Sequence, residues 1–179
     1  MEKIKIENNY FYREIGFCTE NQRKSLLKDV IKILDDDIKR KDFDINTIMP
    51  YQTRNNLYDI VKNKKYWLHF YNRLYRKLYN IYQKEFQLKQ SWANLSKENN
   101  KFIFHRHEFD ITCVYHLKNN TPEYGTNIEN KVIIPAIENS LVIFKGNISH
   151  SICNMPKQIA KYKTNHRYSI VFDFDYEKK

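Results

Sequence analysis

The chain of 179 residues is long enough for one domain with its own core. It holds no apolar run that would span a membrane, and its three cysteines, Cys18, Cys113 and Cys153, are scattered and odd in number, which argues against a disulfide framework and for a reducing compartment. The net charge of +10 raises the question of a nucleic-acid partner, but lysine is spread along the whole chain with no compact basic cluster interleaved with aromatics, so a solvated basic surface is the favoured reading.

In chain order, the opening MEKIKIENNYFYREIG lacks the apolar core of a secretion signal, which predicts a cytoplasmic protein. Thr19-Glu20-Asn21-Gln22 has the spacing of a helix capping box. Behind it Leu26, Leu27, Val30, Ile31, Leu34 and Ile38 recur at helical spacing. A break follows through 42–50, and 51–61 reads as a short helix or a loop. From Tyr66 to Tyr82, Trp67, Phe70, Tyr71, Leu74, Leu78 and Ile81 form one stripe of a second amphipathic helix, read as core.

From Gln87 the period changes to two. Short apolar runs bounded by Asn, Gly, Pro or Lys fall at Leu88–Leu95, Lys101–His107, Asp110–Leu117, Lys131–Ile134, Ser140–Phe144, His150–Cys153 and Arg167–Phe174. Many short strands at this spacing predict a sandwich or barrel, and helices followed by strands predict an α+β domain. Residues 1–179 are read as a single domain, with 1–86 a mostly helical support and 87–179 the β core.

Four of the six histidines, His105, His107, His116 and His150, fall in or beside the strand region. His105 and His107 are two apart, so on a strand both rings point to one face. His150 follows the strand 141–144 and the turn Lys145-Gly146-Asn147. A curled sheet would gather these three rings around one metal, a set suited to iron, zinc or copper. Glu108 and Asp110 are the nearby carboxylates; Asp110 has the wrong parity for a regular strand unless a bulge turns it inward in place of His107. Arg167 and Ser169 share a face of the last strand, where a planar guanidinium and a hydroxyl would clamp a carboxylate; a surface arginine on an edge strand is the plainer alternative.

These residues resemble a family. Ser91-Trp92-Ala93-Asn94, His105-Arg106-His107 and 111–117 (Ile-Thr-Cys-Val-Tyr-His-Leu) resemble the Trp-x-Asn, His-x-His and Ser-Gly-Val-Tyr-Tyr-Leu signatures of small iron/2-oxoglutarate oxygenases from phage and marine microbial genomes. The likeness continues through Pro135, 141–144, His150-Ser151-Ile152 and 167–172, and covers about 88–174. Thr112-Cys113 stands where the family has Ser-Gly, and no standard carboxylate ligand is visible. His150 followed by Asn154 also resembles the aspartyl/asparaginyl hydroxylase branch, which uses only two histidines. The resemblance implies the prolyl-hydroxylase-like superfamily and its double-stranded β-helix, a jelly-roll or cupin-like fold braced here by the N-terminal helices. It implies Fe(II) held by His105, His107 and His150, and 2-oxoglutarate held by Arg167 and Ser169, with Tyr115 offering its hydroxyl. Ile103, Tyr115, Val142 and Phe144 would form a dry shell, and Trp92 and Asn94 would brace the barrel. The implied activity is hydroxylation of a peptide, protein or small molecule. The competing readings are a cupin-like three-histidine metalloprotein that does not use 2-oxoglutarate, and a basic nucleic-acid-binding protein.

Overall fold

The computed structural model describes residues 1–39, 51–53, 56–96, 103–153 and 166–177. It opens with a hairpin that the sequence reading did not single out. Strands β1 (Glu2–Ile6) and β2 (Asn9–Ile15) pair antiparallel, joined by the two-residue turn Glu7-Asn8. Helix α1 (Glu20–Lys39) follows. Thr19 Oγ1 accepts the Gln22 backbone N–H at 3.3 Å, which is half of the expected capping box. The Gln22 side chain does not return the bond; it donates to the Tyr66 carbonyl instead. The 51–61 stretch divides into β3 (Tyr51–Gln52) and a single-turn helix α2 (Leu57–Val61). Helix α3 (Lys65–Tyr82) ends at Gln83, whose positive φ lets its N–H close on the Tyr79 carbonyl.

The remaining strands are β4 (Phe86–Ser96), β5 (Ile111–Lys118), β6 (Thr126–Ile128), β7 (Val132–Ile134), β8 (Ser140–Lys145), β9 (His150–Ile152) and β10 (Arg167–Tyr176). They form two antiparallel sheets. Seven strands run in the order β1-β2-β8-β5-β10-β4-β3, and three in the order β7-β6-β9. The first two residues of the expected 101–107 strand, and Asn154, lie outside the described residues. The described remainder of that stretch is not a regular strand and pairs only through a bridge from His105 to His150.

Strand parity decides what each face of the large sheet meets. Ile111, Cys113, Tyr115 and Leu117 of β5, Ile170, Phe172 and Phe174 of β10, and Ala93 and Leu95 of β4 pack with Leu26, Val30 and Leu34 of α1 and Trp67, Phe70, Leu74 and Leu78 of α3. Phe70 sits at the centre, with its ring 5.0 Å from Tyr115, 5.3 Å from Phe17 and 5.7 Å from Phe172. The opposite face, away from the helices, carries a smaller core in which Phe11, Val142 and Phe144 meet Ile128, Ile134 and Ile148. Burying such side chains contributes roughly 1.5–3 kcal/mol each, so the helix layer fixes the large sheet, and the other face is free to carry polar groups.

Removing the central ring tests this arrangement. Phe70→Ala is expected to lower unfolding stability by roughly 3–5 kcal/mol, read from urea denaturation, because the surrounding rings cannot close the void.

Candidate metal centre

Consecutive rows of side chains cross β4, β10 and β5 on the face turned away from the helices. In register, Arg167 lies beside Ser96; Ser169 lies between Asn94 and His116; Val171 between Trp92 and Val114; and Asp173 between Gln90 and Thr112. A bulge between Asp173 and Phe174 shifts the register against β4, and the pairing then continues to Tyr176 and Phe86. The three-stranded sheet adds Thr126, His150 and Ile152, and together these elements line one cavity of about 70 Å³.

At one end of the cavity three imidazoles meet. Ligand atoms of His105, His107 and His150 all lie within 4.8 Å of one another. The backbone explains how residues so distant in sequence converge. His105 N–H donates to the His150 carbonyl at 3.0 Å, and His150 N–H donates to the His105 carbonyl at 2.9 Å. One step on, His107 N–H donates to the Gly146 carbonyl at 2.8 Å, and Gly146 N–H donates to the Asp110 carbonyl at 3.0 Å. Glycine is required at 146, because a Cβ there would run into the Phe109 carbonyl.

Each ring is held by its Nδ1. His105 Nδ1 lies 3.1 Å from the Ile103 carbonyl and His150 Nδ1 lies 2.9 Å from the Ile148 carbonyl. His107 Nδ1 lies 2.8 Å from both carboxylate oxygens of Asp173. These acceptors fix the Nδ1–H tautomer and leave the Nε2 lone pair of each ring available to a metal. The donor set therefore fits a divalent transition metal, and three imidazoles leave coordination positions open for other ligands.

Asp173 is a candidate site residue that the sequence reading missed. It is fully buried. Besides His107 it receives Thr112 Oγ1–H at 2.7 Å and Gln90 Nε2–H at 2.8 Å. The available signal was parity: Asp173 stands in the apolar run of β10 on the same face as Arg167 and Ser169. It places a carboxylate behind His107 in a candidate site with no carboxylate among the three converging side chains.

Arg167 and Ser169 both line the cavity and are both buried. The guanidinium donates to the Tyr124 carbonyl, and burial pulls its pKa down to about 10, still charged at neutral pH. Tyr115 lies elsewhere. It alternates with Val114 and His116 and therefore projects to the helix side, fully buried against Phe17 and Phe70, with its hydroxyl donated to Asn139 Oδ1 at 2.8 Å. It does not reach the cavity. Asp110 does not turn inward either: it is exposed and accepts the Tyr176 N–H at 2.9 Å, so it does not replace His107. Glu108 is exposed as well. Of the expected dry shell, Ile103 lines the mouth, while Val142 and Phe144 lie in the smaller core, where Phe144 meets the His150 ring edge-on at 4.9 Å. Trp92 and Asn94 are cavity residues; Trp92 Nε1 and Asn94 Oδ1 are buried and find no hydrogen-bond partner among the described residues.

No family model matches the sequence, and no curated protein matches it. Solved structures share the fold. AviO1 from Streptomyces viridochromogenes Tue57 superposes with a TM-score of 0.66 at 11% identity, covering 92% of this chain and 89% of that one. The viral collagen prolyl hydroxylase vCPH of Paramecium bursaria Chlorella virus-1 gives 0.64 at 13%, covering 100% and 99%. HygX from Streptomyces hygroscopicus, solved with nickel and 2-oxoglutarate bound, gives 0.65 at 8%, covering 92% and 82%. Among the described residues no helix is long and apolar enough to cross a membrane.

Two outcomes are expected. Asp173→Asn keeps the shape but removes the charge behind His107, and it should weaken divalent-metal affinity about 10- to 100-fold in a competition titration. The second concerns acid. Burial pushes His150 down to about 4 and His116 to about 3, from an ordinary value of 6.5. Below 6.5 the unfolded chain takes up protons that the folded chain refuses. Stability of the metal-free protein should therefore fall as pH drops from 6.5 towards 4, by on the order of 1.4 kcal/mol per pH unit for each ring. The urea midpoint followed across this range checks the slope, which His116→Leu should flatten.

Proposed function

We propose that the protein is an Fe(II)- and 2-oxoglutarate-dependent oxygenase built on a double-stranded β-helix, with 1–179 acting as one domain. The observation that carries the reading is the joint placement of two sites in one cavity: three converging imidazoles, and a buried guanidinium with Ser169 beside it. Arg167 and Ser169 are both buried and line the same cavity as the three imidazoles, which sets their donors inside it rather than on its rim.

His105, His107 and His150 would hold the metal. When bound, iron and 2-oxoglutarate would supply the oxidative decarboxylation that drives hydroxylation of a C–H bond. The chain's own contribution is positional. Asp173 holds His107 in one tautomer and one rotation. Arg167 would fix the far carboxylate of the cosubstrate by charge-assisted bonds, and Ser169 would add a donor one step along the same strand. The cavity wall is apolar at Val114, Val171 and Ile152, which excludes water beside the metal. His105 is exposed while His150 is buried, so the metal would be approached from the His105 side. The fold shared with HygX and vCPH supports this reading.

The reading predicts that purified protein supplied with Fe(II) and ascorbate converts 2-oxoglutarate to succinate, slowly without a primary substrate. His150→Ala should abolish the conversion. Arg167→Ala should raise the cosubstrate concentration needed for half-maximal rate by at least tenfold, the cost of losing a hydrogen bond to a charged group. Succinate formation unchanged in both variants would remove the assignment.

A further inference from the structure

Helix α3 sorts its residues by side. Its inward stripe, Trp67, Phe70, Leu74 and Leu78, packs on the large sheet. None of its residues, inward or outward, is an aspartate or a glutamate. Lys65, His69, Asn72, Arg76 and Asn80 stand exposed at spacings of three and four, with Arg73 exposed beside them, so they form one outward stripe. The helical rise makes that stripe about 22 Å long from Lys65 to Asn80. His69, Asn72, Arg73, Arg76, Lys77 and Asn80 line one shallow groove along it. Among the described residues, Glu14 is the one carboxylate ion-paired with a cation of this helix. Arg73 reaches it at 2.9 Å and Lys77 at 2.7 Å, so two cations share one anion. The Arg73 guanidinium also lies over the Phe17 ring, 4.7 Å from its centroid, which holds it in place. Arg76 forms no ion pair among the described residues.

We propose that this outer face of α3 is a docking surface for a single-stranded nucleic acid, held through its phosphates. Lysine and arginine are spread along the sequence, but folding sets Lys65, Arg73, Arg76 and Lys77 towards one side of one helix that has no acid of its own to oppose them. Guanidinium forks suit phosphate oxygens, and the Asn72 and Asn80 amides add neutral donors along the same line. Tyr79 stands 42% exposed at the edge of the stripe, where a base would stack on its ring. A bilayer is the poorer match, because the apolar side of the helix is buried in the core and the outward side is polar. The stripe lies on the helix side of the large sheet and the cavity on the other. A strand docked here would leave the candidate metal centre open, and the inference stands apart from the oxygenase reading.

The test is fluorescence anisotropy of a labelled oligothymidylate of about 20 nucleotides, titrated with the full chain between about 50 and 200 mM salt. Affinity should fall with salt on a log–log line, by about 0.7 of slope for each phosphate neutralised. Arg76→Glu should weaken binding about tenfold at the low-salt end and make the slope shallower by about 0.7. Tyr79→Ala should weaken it by at least about fivefold. Lys3→Glu makes the same charge change on the edge strand β1 and should alter binding less than about twofold, since exposed charges beyond a Debye length are screened. In the unaltered chain, the amide resonances of α3 should shift on adding the oligonucleotide, a readout that does not depend on the folding of any variant. The proposal is overturned if the chain does not bind, if Lys3→Glu weakens binding as much as Arg76→Glu, or if the α3 resonances hold still while others move. Polyglutamate or phosphatidylserine vesicles bound as tightly through Arg76 would overturn it too, by showing a face that takes any polyanion.

Discussion

Two backbone hydrogen bonds join His105 to His150, and the candidate metal centre depends on them. They link the segment before β5 to the short strand β9, and so to the small sheet, while β5 itself belongs to the large one. Side chains at such a bridge are forced into proximity, and the two rings stand 4.4 Å apart between centroids. The Gly146 turn repeats the device one step along and brings His107 within 5.0 Å of His150. Because backbone groups hold these approaches, the imidazoles are gathered by the fold itself. Only their rotation is left to side-chain acceptors.

The large sheet divides its labour by face. On the helix side aromatic rings fill the space between α3 and the strands, and this layer supplies the burial that pays for what lies behind it. On the other face the same strands present Arg167, Ser169, His116 and Asp173, groups that are costly to desolvate. Asp173 is fully answered by His107, Thr112 and Gln90. His116 is not answered within the described residues, nor are Trp92 Nε1 and Asn94 Oδ1. The satisfied group stands behind His107, and the unsatisfied ones line the cavity.

Much of this was legible in the sequence, for physical reasons that differ by residue. Helices α1 and α3 stand out through long 3.6-residue stripes, and β4, β5, β8 and β10 through alternation or apolar runs bounded by polar turns. The histidine pair and its distant third ring were visible as residue types, although the stretch that carries the pair is held by a bridge and not as a regular strand. The β1–β2 hairpin went unread because Lys-Ile-Lys-Ile at the start of the chain is short and its partner strand is mostly polar and aromatic, so neither announces a buried face. Asp173 was hidden for another reason. Its place in the site comes from cross-strand neighbours, and a single sequence does not state which strands are adjacent. Tyr115 was misplaced for want of the same information: its apolar neighbours Val114 and Cys113 look alike until parity is anchored to a known face.

Strand β10 carries Arg167 at one end and Asp173, the support of His107, six residues later. A strand flanked on both sides cannot slide without breaking two ladders, so the rise of the backbone fixes these points about 20 Å apart. The strand is thus a ruler with the guanidinium at one mark and the carboxylate behind His107 at another. Single side-chain changes leave the scale intact. An insertion or deletion within the strand would recalibrate it, leaving both groups present while the cavity measured a molecule of a different length.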